Sequence, residues 1–215
     1  MNCFGAGKNS LITAVREVFG SEGRMNMVDF QGKTDPLILH ESLESMGLGK
    51  EDIQEKTDHL KKRYFYHLEK NMNIYDSELL PGVKELLDSL SGENDIVTAL
   101  LTGNFKESAE IKLSKYDLNG YFSFGVFGDD APVRNGLPPI AREILRNRFE
   151  LDIPYENMII IGDTIYDVEC ARNVGAVSIA VGTGIGDSEK VKQMNPDYYF
   201  DNLRDTEAVL GAIKK

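Results

Sequence analysis

The fold of this chain is constrained most by an alternation of helix and strand patterns that begins near residue 80 and continues to the C-terminus. Short apolar runs bounded by Gly, Asp or Thr predict buried strands, and the stretches between them predict helices. Strands and helices that alternate in this way form a parallel sheet covered by helices on both faces. We therefore predict an α/β fold with a Rossmann-like parallel sheet. The predicted strands are 95–101, 121–127, 158–161, 176–181 and 197–200, and the predicted helices are 83–90, 105–118, 137–149, one that starts after 164, 188–194 and a C-terminal one.

The first 75 residues carry a different pattern, which is helical throughout. Apolar residues recur at helical spacing over 7–19, over a segment that begins near Pro36 and ends near Gly47, and over 50–71. The pattern changes at residues 80–82, Leu-Pro-Gly, which read as a turn. We predict a helical domain over 1–78 and an α/β domain over 79–215.

The composition indicates a protein with a proper hydrophobic core and an acidic surface. Of the 215 residues 41% are hydrophobic, and 35 acidic against 24 basic residues give a net charge of -11. This charge argues against nucleic acid or an anionic membrane as a partner. No apolar run is long enough to span a membrane, and the first residues lack the pattern of a signal peptide. Cys3 and Cys170 form no disulfide framework and fit a reducing cytoplasm, where we expect the protein.

A pair of carboxylates follows the third predicted strand. Residues 158–161 are all apolar and predict a strand buried on both faces, which Gly162 ends. Asp163 and Asp167 then lie close together where the strand passes into a helix. Two neighbouring carboxylates repel each other unless a hard cation such as Mg²⁺ binds them. The alternative is that Asp163 or Thr164 caps the helix and that Asp167 is solvated.

Further polar residues follow the other predicted strands, whose carboxyl ends meet at one edge of the sheet. A hydroxyl and free backbone amides bind phosphate oxygens, and a guanidinium neutralises their charge. With the carboxylate pair, these groups indicate a phosphoryl-transfer site. Alternatively, Thr102 or Asn104 caps the next helix, and Arg134 is a solvated loop residue. The residues concerned are Thr102, Gly103 and Asn104, Asp129 and Asp130, Arg134, and Thr183 in the glycine-rich turn 182–186.

The sequence resembles the haloacid dehalogenase superfamily of hydrolases, in particular its phosphoglycolate-phosphatase-like members with a helical cap. Residues 100–104, Leu-Leu-Thr-Gly-Asn, are similar to the second motif of that family, and residues 162–167, Gly-Asp-Thr-Ile-Tyr-Asp, are similar to the fourth. Residues 80–83 resemble the hinge between cap and core, and residues 32–35 resemble the cap segment that faces the substrate. Arg134 stands where the third motif usually has a lysine, and it keeps the charge but not the geometry.

The resemblance implies a Mg²⁺-dependent phosphatase of small phosphorylated metabolites, with 1–78 as its cap and 79–215 as its core. It also implies an aspartyl-phosphate intermediate, formed and then released by water. A phosphomutase uses the same core and remains an alternative, as does a catalytically inactive member that binds a phosphorylated ligand or a protein. We expect a monomer or homodimer. The implied catalytic residues are Thr102, Gly103, Asn104 and Arg134, the metal ligands are Asp163 and Asp167, and the substrate-binding residues are Lys33 and Thr34.

The first motif of the family is not found in this sequence. That motif is a central strand ending in Asp-x-Asp-Gly-Thr, whose first Asp is the nucleophile and whose second is the general acid, and this chain has no Asp before Asp29. Without the strand, two central strand edges would be unpaired, at about 1–3 kcal/mol for each unsatisfied buried group. Either the natural protein is longer by about a dozen residues, one strand and its turn, or this sheet closes differently or borrows a strand. The pairing cost favours the first explanation.

Overall fold

The computed structural model describes residues 1–184 and 187–215. Helices occupy the first third of the described chain, and strands alternate with helices in the rest. The helices are α1 Ala6–Phe19, α2 Asp35–Leu43, α3 Lys50–Ile74, α4 Val83–Ser91, α5 Lys106–Ser114, α6 Leu137–Phe149, α7 Ile165–Val174, α8 Ser188–Gln193 and α9 Thr206–Ile213. The strands are β1 Ala99–Leu101, β2 Phe124–Val126, β3 Ile159–Gly162, β4 Val177–Val181 and β5 Tyr198–Phe200.

The helical part has its own apolar cluster, built chiefly where α1 packs on α3. Leu11 and Val15 of α1 meet this cluster with Leu60 and Leu68 of α3, and all four side chains are buried. Phe105, just before α5, is buried in the same cluster, so the helices rest directly on the α/β part. The division into domains over 1–78 and 79–215 stays a prediction.

The paired strands are parallel throughout, which confirms the predicted α/β fold with a parallel sheet. β1 pairs with β2, and β4 lies between β3 and β5. In the part of the chain that the structure describes, β1 and β3 each have a strand neighbour on one side only. The structure therefore presents two sheets whose edge strands, β1 and β3, both lead into the predicted site.

Several predicted elements differ from the structure in length or burial. The prediction that residues 158–161 are buried on both faces is wrong, because β3 is an edge strand and Ile161 is 36% exposed. The strand predicted over 95–101 is paired only over Ala99–Leu101, where β2 offers partners. The helix predicted over 105–118 ends at Ser114, and Asp117 then adopts a positive φ of 54° that no right-handed helix contains.

Among residues 1–184 and 187–215, no helix combines the length and the apolar character that crossing a membrane requires.

Candidate functional site

Arg134 links the ends of the two sheets. It lies in a short helical turn, Arg134–Gly136, immediately before α6. Its Nη2 donates to Oδ1 of Asp167 at 2.5 Å and reaches the carbonyl oxygen of Leu101, at the end of β1, at 3.5 Å. The side chain is only 16% exposed, so Arg134 is not the solvated loop residue of the alternative interpretation. The guanidinium thus sits between the strand ends that carry the second and fourth sequence motifs.

Asp167 joins the start of α7 to Arg134. Its Oδ2 accepts hydrogen bonds from the backbone N–H of Thr164 at 3.0 Å and from the Thr164 hydroxyl at 2.7 Å. The residue is 4% exposed, so the prediction of a solvated Asp167 is wrong, although Thr164 is indeed the residue that caps α7. A Cβ on Gly162 would lie 2.1 Å from Cγ of Asp167, so only glycine leaves room for this carboxylate.

Asp163 is the second carboxylate at the end of β3. Burial raises the pKa of Asp163 above its ordinary value, and the neighbouring Asp167 carboxylate raises it further. The Met1 ammonium and Arg134 oppose both effects. The backbone also closes in on this side chain, since a Cβ on Gly184 would lie 1.7 Å from Oδ2 of Asp163. A partly buried carboxylate beside a second one is a group that a cation would stabilise.

The donor set is compatible with Mg²⁺. Among the described residues, no group of three or more His, Cys, Asp and Glu side chains is arranged to enclose a metal ion. Mg²⁺ is usually held by one or two carboxylates, with waters and substrate phosphates completing its shell. Asp163 and Asp167 supply that number of carboxylates at the strand end. Asp167 would have to share its oxygens between the cation, Thr164 and Arg134.

The loop after β1 presents the Thr102 hydroxyl. Its oxygen accepts hydrogen bonds from the backbone N–H of Asn104 at 3.2 Å and from Nδ2 of Asn104 at 2.7 Å. Lys112 of α5 donates in turn to Oδ1 of Asn104. Sequence reasoning missed Lys112, whose only signal was a basic residue on the helix that follows the second motif.

Carboxylates from elsewhere in the chain cap α5, so the alternative that Thr102 or Asn104 caps this helix is wrong. The backbone N–H of Phe105 donates to Asp35 at 2.7 Å, and that of Lys106 donates to Asp129 at 2.8 Å. Asp35 is buried, and burial raises its pKa.

Asp130, the acidic residue after Asp129 in the loop that follows β2, also binds a backbone N–H group. Oδ2 of Asp130 accepts from the N–H of Phe127 at 2.8 Å, and Asp129 forms an ion pair with Lys61 of α3. Both carboxylates therefore have structural partners, although both residues are exposed.

The segment 32–36 lies against both strand ends. A Cβ on Gly32 would lie 2.1 Å from Cδ2 of Tyr166 in α7, and a Cβ on Gly103 would lie 2.2 Å from the carbonyl oxygen of Lys33. Thr34 is fully buried, donates to the carbonyl of Pro132 at 2.7 Å and caps α2. These contacts use the hydroxyl hydrogen of Thr34 inside the fold, and its role in substrate binding stays a prediction.

Two further sequence predictions have other outcomes. Lys33 is partly exposed and pairs with Glu41 at 2.5 Å, so its ammonium is held on the cap side of the site. Residues 185–186 of the predicted glycine-rich turn lie outside the described residues. At the start of that turn, a Cβ on Gly182 would lie 2.2 Å from the Tyr199 hydroxyl, so the backbone passes close to β5.

A family model and related proteins match the sequence of this chain. The sequence model of the haloacid dehalogenase-like hydrolases matches residues 29–181. A protein of Caldanaerobacter subterraneus that carries a pyrophosphatase name, PpaX, is 30% identical over 153 residues, which are 70% of this chain and 66% of that protein. A phosphoglycolate phosphatase of Agrobacterium fabrum is 32% identical over 146 residues, which are 68% of this chain and 60% of that protein. The matches thus span at most about two thirds of these relatives.

A solved structure shows the same fold. The crystal structure of a predicted phosphoglycolate phosphatase from Haemophilus somnus superimposes with a TM-score of 0.69 and 19% identity. The match covers 97% of this chain and 92% of that one.

Proposed function

Because the chain belongs to the haloacid dehalogenase-like hydrolase family, we propose that it acts as a Mg²⁺-dependent phosphatase of small phosphorylated metabolites. One observation carries the proposal. Arg134 is held between the ends of β1 and β3, and its buried Nε has no hydrogen-bond partner among the described residues. A buried N–H without a partner is costly, and a phosphate oxygen would satisfy it.

Each strand end has its part in this function. The Thr102 hydroxyl and the Gly103 backbone amide bind the oxygens of the transferring phosphoryl group, and Arg134 neutralises their charge. Asn104 orients the hydroxyl through the bond from its Nδ2. Asp163 and Asp167 would hold the Mg²⁺, which when bound supplies positive charge to the phosphate oxygens.

The nucleophile in this proposal is an aspartate on a strand paired between β1 and β3. The open edges of these strands, and the 36% exposure of Ile161 on β3, support such a position. The carboxylate oxygen forms a bond to phosphorus while the ester oxygen leaves and takes a proton, and water then hydrolyses the aspartyl phosphate. As the chain has no Asp before Asp29, we propose little or no turnover by these 215 residues alone.

We propose that the segment 32–36, which lies against both strand ends, helps to select the substrate. Lys33, on the cap side and paired with Glu41, is proposed to contact the part of the substrate beyond its phosphate. Phosphoglycolate and pyrophosphate, named for the relatives above, are the first substrates to test. We further propose a cytoplasmic protein, monomeric or homodimeric, without nucleic acid or membrane as a partner, in keeping with the charge of -11.

The test compares two proteins in the hydrolysis of an aryl phosphate with and without Mg²⁺. One is this chain, and the other carries an added N-terminal strand ending in Asp-x-Asp. We expect Mg²⁺-dependent turnover only in the second, and none when its first added Asp is replaced by Asn. Turnover by the unextended chain would contradict the assignment of the nucleophile. Activity in neither protein would favour the alternative of a phospho-ligand or protein-binding member, and transfer of phosphate between sugar positions would favour a phosphomutase.

A further inference from the structure

Three polar side chains form a row from the helix α5 to the candidate phosphate site. Lys112 donates through Nζ to Oδ1 of Asn104, and Nδ2 of Asn104 lies 2.7 Å from Oγ1 of Thr102. The sequence motifs included Thr102 and Asn104 but not Lys112. The row is partly buried, so its hydrogen bonds are shielded from competition with water.

The chemistry of the ammonium group fixes the direction of each hydrogen bond in this row. An ammonium only donates, so the amide atom that faces Lys112 must be the oxygen of Asn104. The amide nitrogen must then face Thr102 and donate to its hydroxyl oxygen. That oxygen also accepts from the backbone N–H of Asn104, and the hydroxyl hydrogen has no acceptor among the described residues.

We propose that Lys112 is a positioning residue, which holds the Asn104 amide in one orientation so that the Thr102 hydroxyl donates its hydrogen to a phosphoryl oxygen. This inference rests on the proposed phosphatase function and adds the group that sets the Thr102 proton. Without Lys112 the amide can turn over and present its oxygen to Thr102. The hydroxyl then donates to Asn104, and the phosphate loses that donor.

The position of Lys112 is confined from the helical part of the chain. A Cβ on Gly7, in the first turn of α1, would lie 3.3 Å from both Cε and Nζ of Lys112. The glycine therefore makes room for the ammonium beside Asn104. Lys112 also has a purely structural effect, since its charge lowers the pKa of the buried Asp35 against the larger effect of burial. The test has to separate these two roles.

The orientation of the amide is tested by NMR on the full chain. The side-chain amide signals of Asn104 are identified by their loss in Asn104→Leu and are then followed in Lys112→Met. We expect them to shift and to exchange faster with solvent when Lys112 is absent. Lys106→Met is the matched control, because it removes the same charge from an exposed position of the same helix. Unchanged Asn104 signals in Lys112→Met would overturn the proposal, whatever the ligand affinity.

The effect on the ligand is measured by calorimetric titration with inorganic phosphate in the presence of Mg²⁺. Loss of one hydrogen bond to a charged oxygen predicts about tenfold weaker binding in Lys112→Met. In an Asn104→Leu background, Lys112→Met should weaken phosphate binding no more than Lys106→Met does. An equal loss of phosphate affinity with and without Asn104 would show that Lys112 acts directly by its charge. That result would overturn the proposal that it acts through the Asn104 amide.

A second variant keeps the proposal testable if Lys112→Met fails to fold. Asn104→Asp retains the contact with Lys112 but offers Thr102 only an acceptor, so the hydroxyl donates to the new carboxylate. The fold should be kept, as judged by circular dichroism, while phosphate binding falls at least tenfold, about the loss of one charged hydrogen bond. Wild-type affinity in this variant would overturn the proposal. Absence of phosphate binding by the wild type would instead refute the proposed function, and the Asn104 signals would still decide whether Lys112 orients the amide.

Discussion

The ion pair between Arg134 and Asp167 offers the most direct test of how the two sheets are held together at the site. Its two side chains are 16% and 6% exposed. Replacing Arg134 by Met leaves the Asp167 carboxylate buried without its cationic partner. Removal of one partner from a buried pair costs about 3–5 kcal/mol. Because Asp167 keeps both hydrogen bonds from Thr164, we expect the lower end, about 3 kcal/mol.

The measurement is urea unfolding followed by circular dichroism, supported by the thermal midpoint. For a chain of this size, about 3 kcal/mol corresponds to a decrease of roughly 6–12 °C in the midpoint. Arg142→Met is the control, because Arg142 pairs with Asp152 at 3.1 Å in a position where the two side chains are 37% and 67% exposed. Exposed pairs contribute less than about 1 kcal/mol. If Arg134→Met destabilised the protein no more than Arg142→Met, the pair would not hold the strand ends together.

A double variant sharpens the same test. Asp167→Asn alone places an amide where the carboxylate accepted bonds from both Arg134 and Thr164. An amide has one acceptor oxygen, so one of these contacts becomes donor against donor. When Arg134 is also replaced by Met, the Asn oxygen can accept the hydrogen bonds from Thr164, and the amide nitrogen no longer faces a guanidinium. We therefore expect the double variant to lose less stability than the sum of the single variants, by about 1–3 kcal/mol. Strict additivity would contradict the pairing.

The remaining predictions concern the glycine and carboxylate positions of the site. Gly184→Ala should lower the thermal midpoint more than Gly120→Ala, because a Cβ would lie 1.7 Å from Oδ2 of Asp163 at the first position and would meet nothing within 4 Å at the second. Asp163→Asn should raise the unfolding free energy near neutral pH, since a partly buried charge beside a like charge is removed, and should abolish the midpoint shift produced by Mg²⁺ with phosphate; a full shift would contradict its role as a ligand. Burial raises the folded-state pKa of Asp35 above its ordinary 3.8, so the folded protein holds this proton more tightly and loses stability as pH rises from 3.8 through the raised value. Urea titrations at several pH values should show that loss in the wild type and not in Asp35→Asn, and parallel pH profiles would refute it.

Local sequence signals were sufficient to predict which segments form helices and which form strands, and in what order. Helix α6 was predicted over 137–149 and spans Leu137–Phe149, because prolines at its start and a regular apolar stripe define it locally. The α/β alternation likewise predicted parallel strands. The burial of Ile161 was predicted wrongly, because burial depends on what lies beside and above a strand rather than on its own residues.

The contacts that shape the site could not be predicted from local sequence either, because they join residues far apart in the chain. Asp35 caps α5 from 70 positions earlier in the chain, and Thr34 bonds to Pro132 from 98 positions earlier. Neither contact has a sequence pattern of its own, since each residue also reads as an ordinary helix-capping residue of α2. The role proposed for Lys112 involves the approach of Gly7 in α1, and this contact between distant parts of the chain has no local sequence signal.

The capping of α5 changes which groups can bind a phosphate. The amino end of a helix is often an anion site, but here the amides of Phe105 and Lys106 already donate to Asp35 and Asp129. A phosphate at this edge would meet two carboxylates rather than free N–H groups. In the proposed function, phosphate would therefore be bound by Arg134 and by the loop between β1 and α5, where the Thr102 hydroxyl can donate.

The charges around that loop explain why we propose a cation for this site. Arg134 faces the loop but also serves Asp167, and Asp163 adds a second carboxylate nearby. A phosphate bound there without a metal would bring at least one further negative charge against two carboxylates, which Arg134 and the Met1 ammonium offset only in part. Burial and, after it, the neighbouring Asp167 carboxylate already raise the pKa of Asp163, and a phosphate would add a further like charge. A divalent cation between the carboxylates and the phosphate reverses these repulsions into attractions, so metal and phosphate should each bind more tightly in the presence of the other.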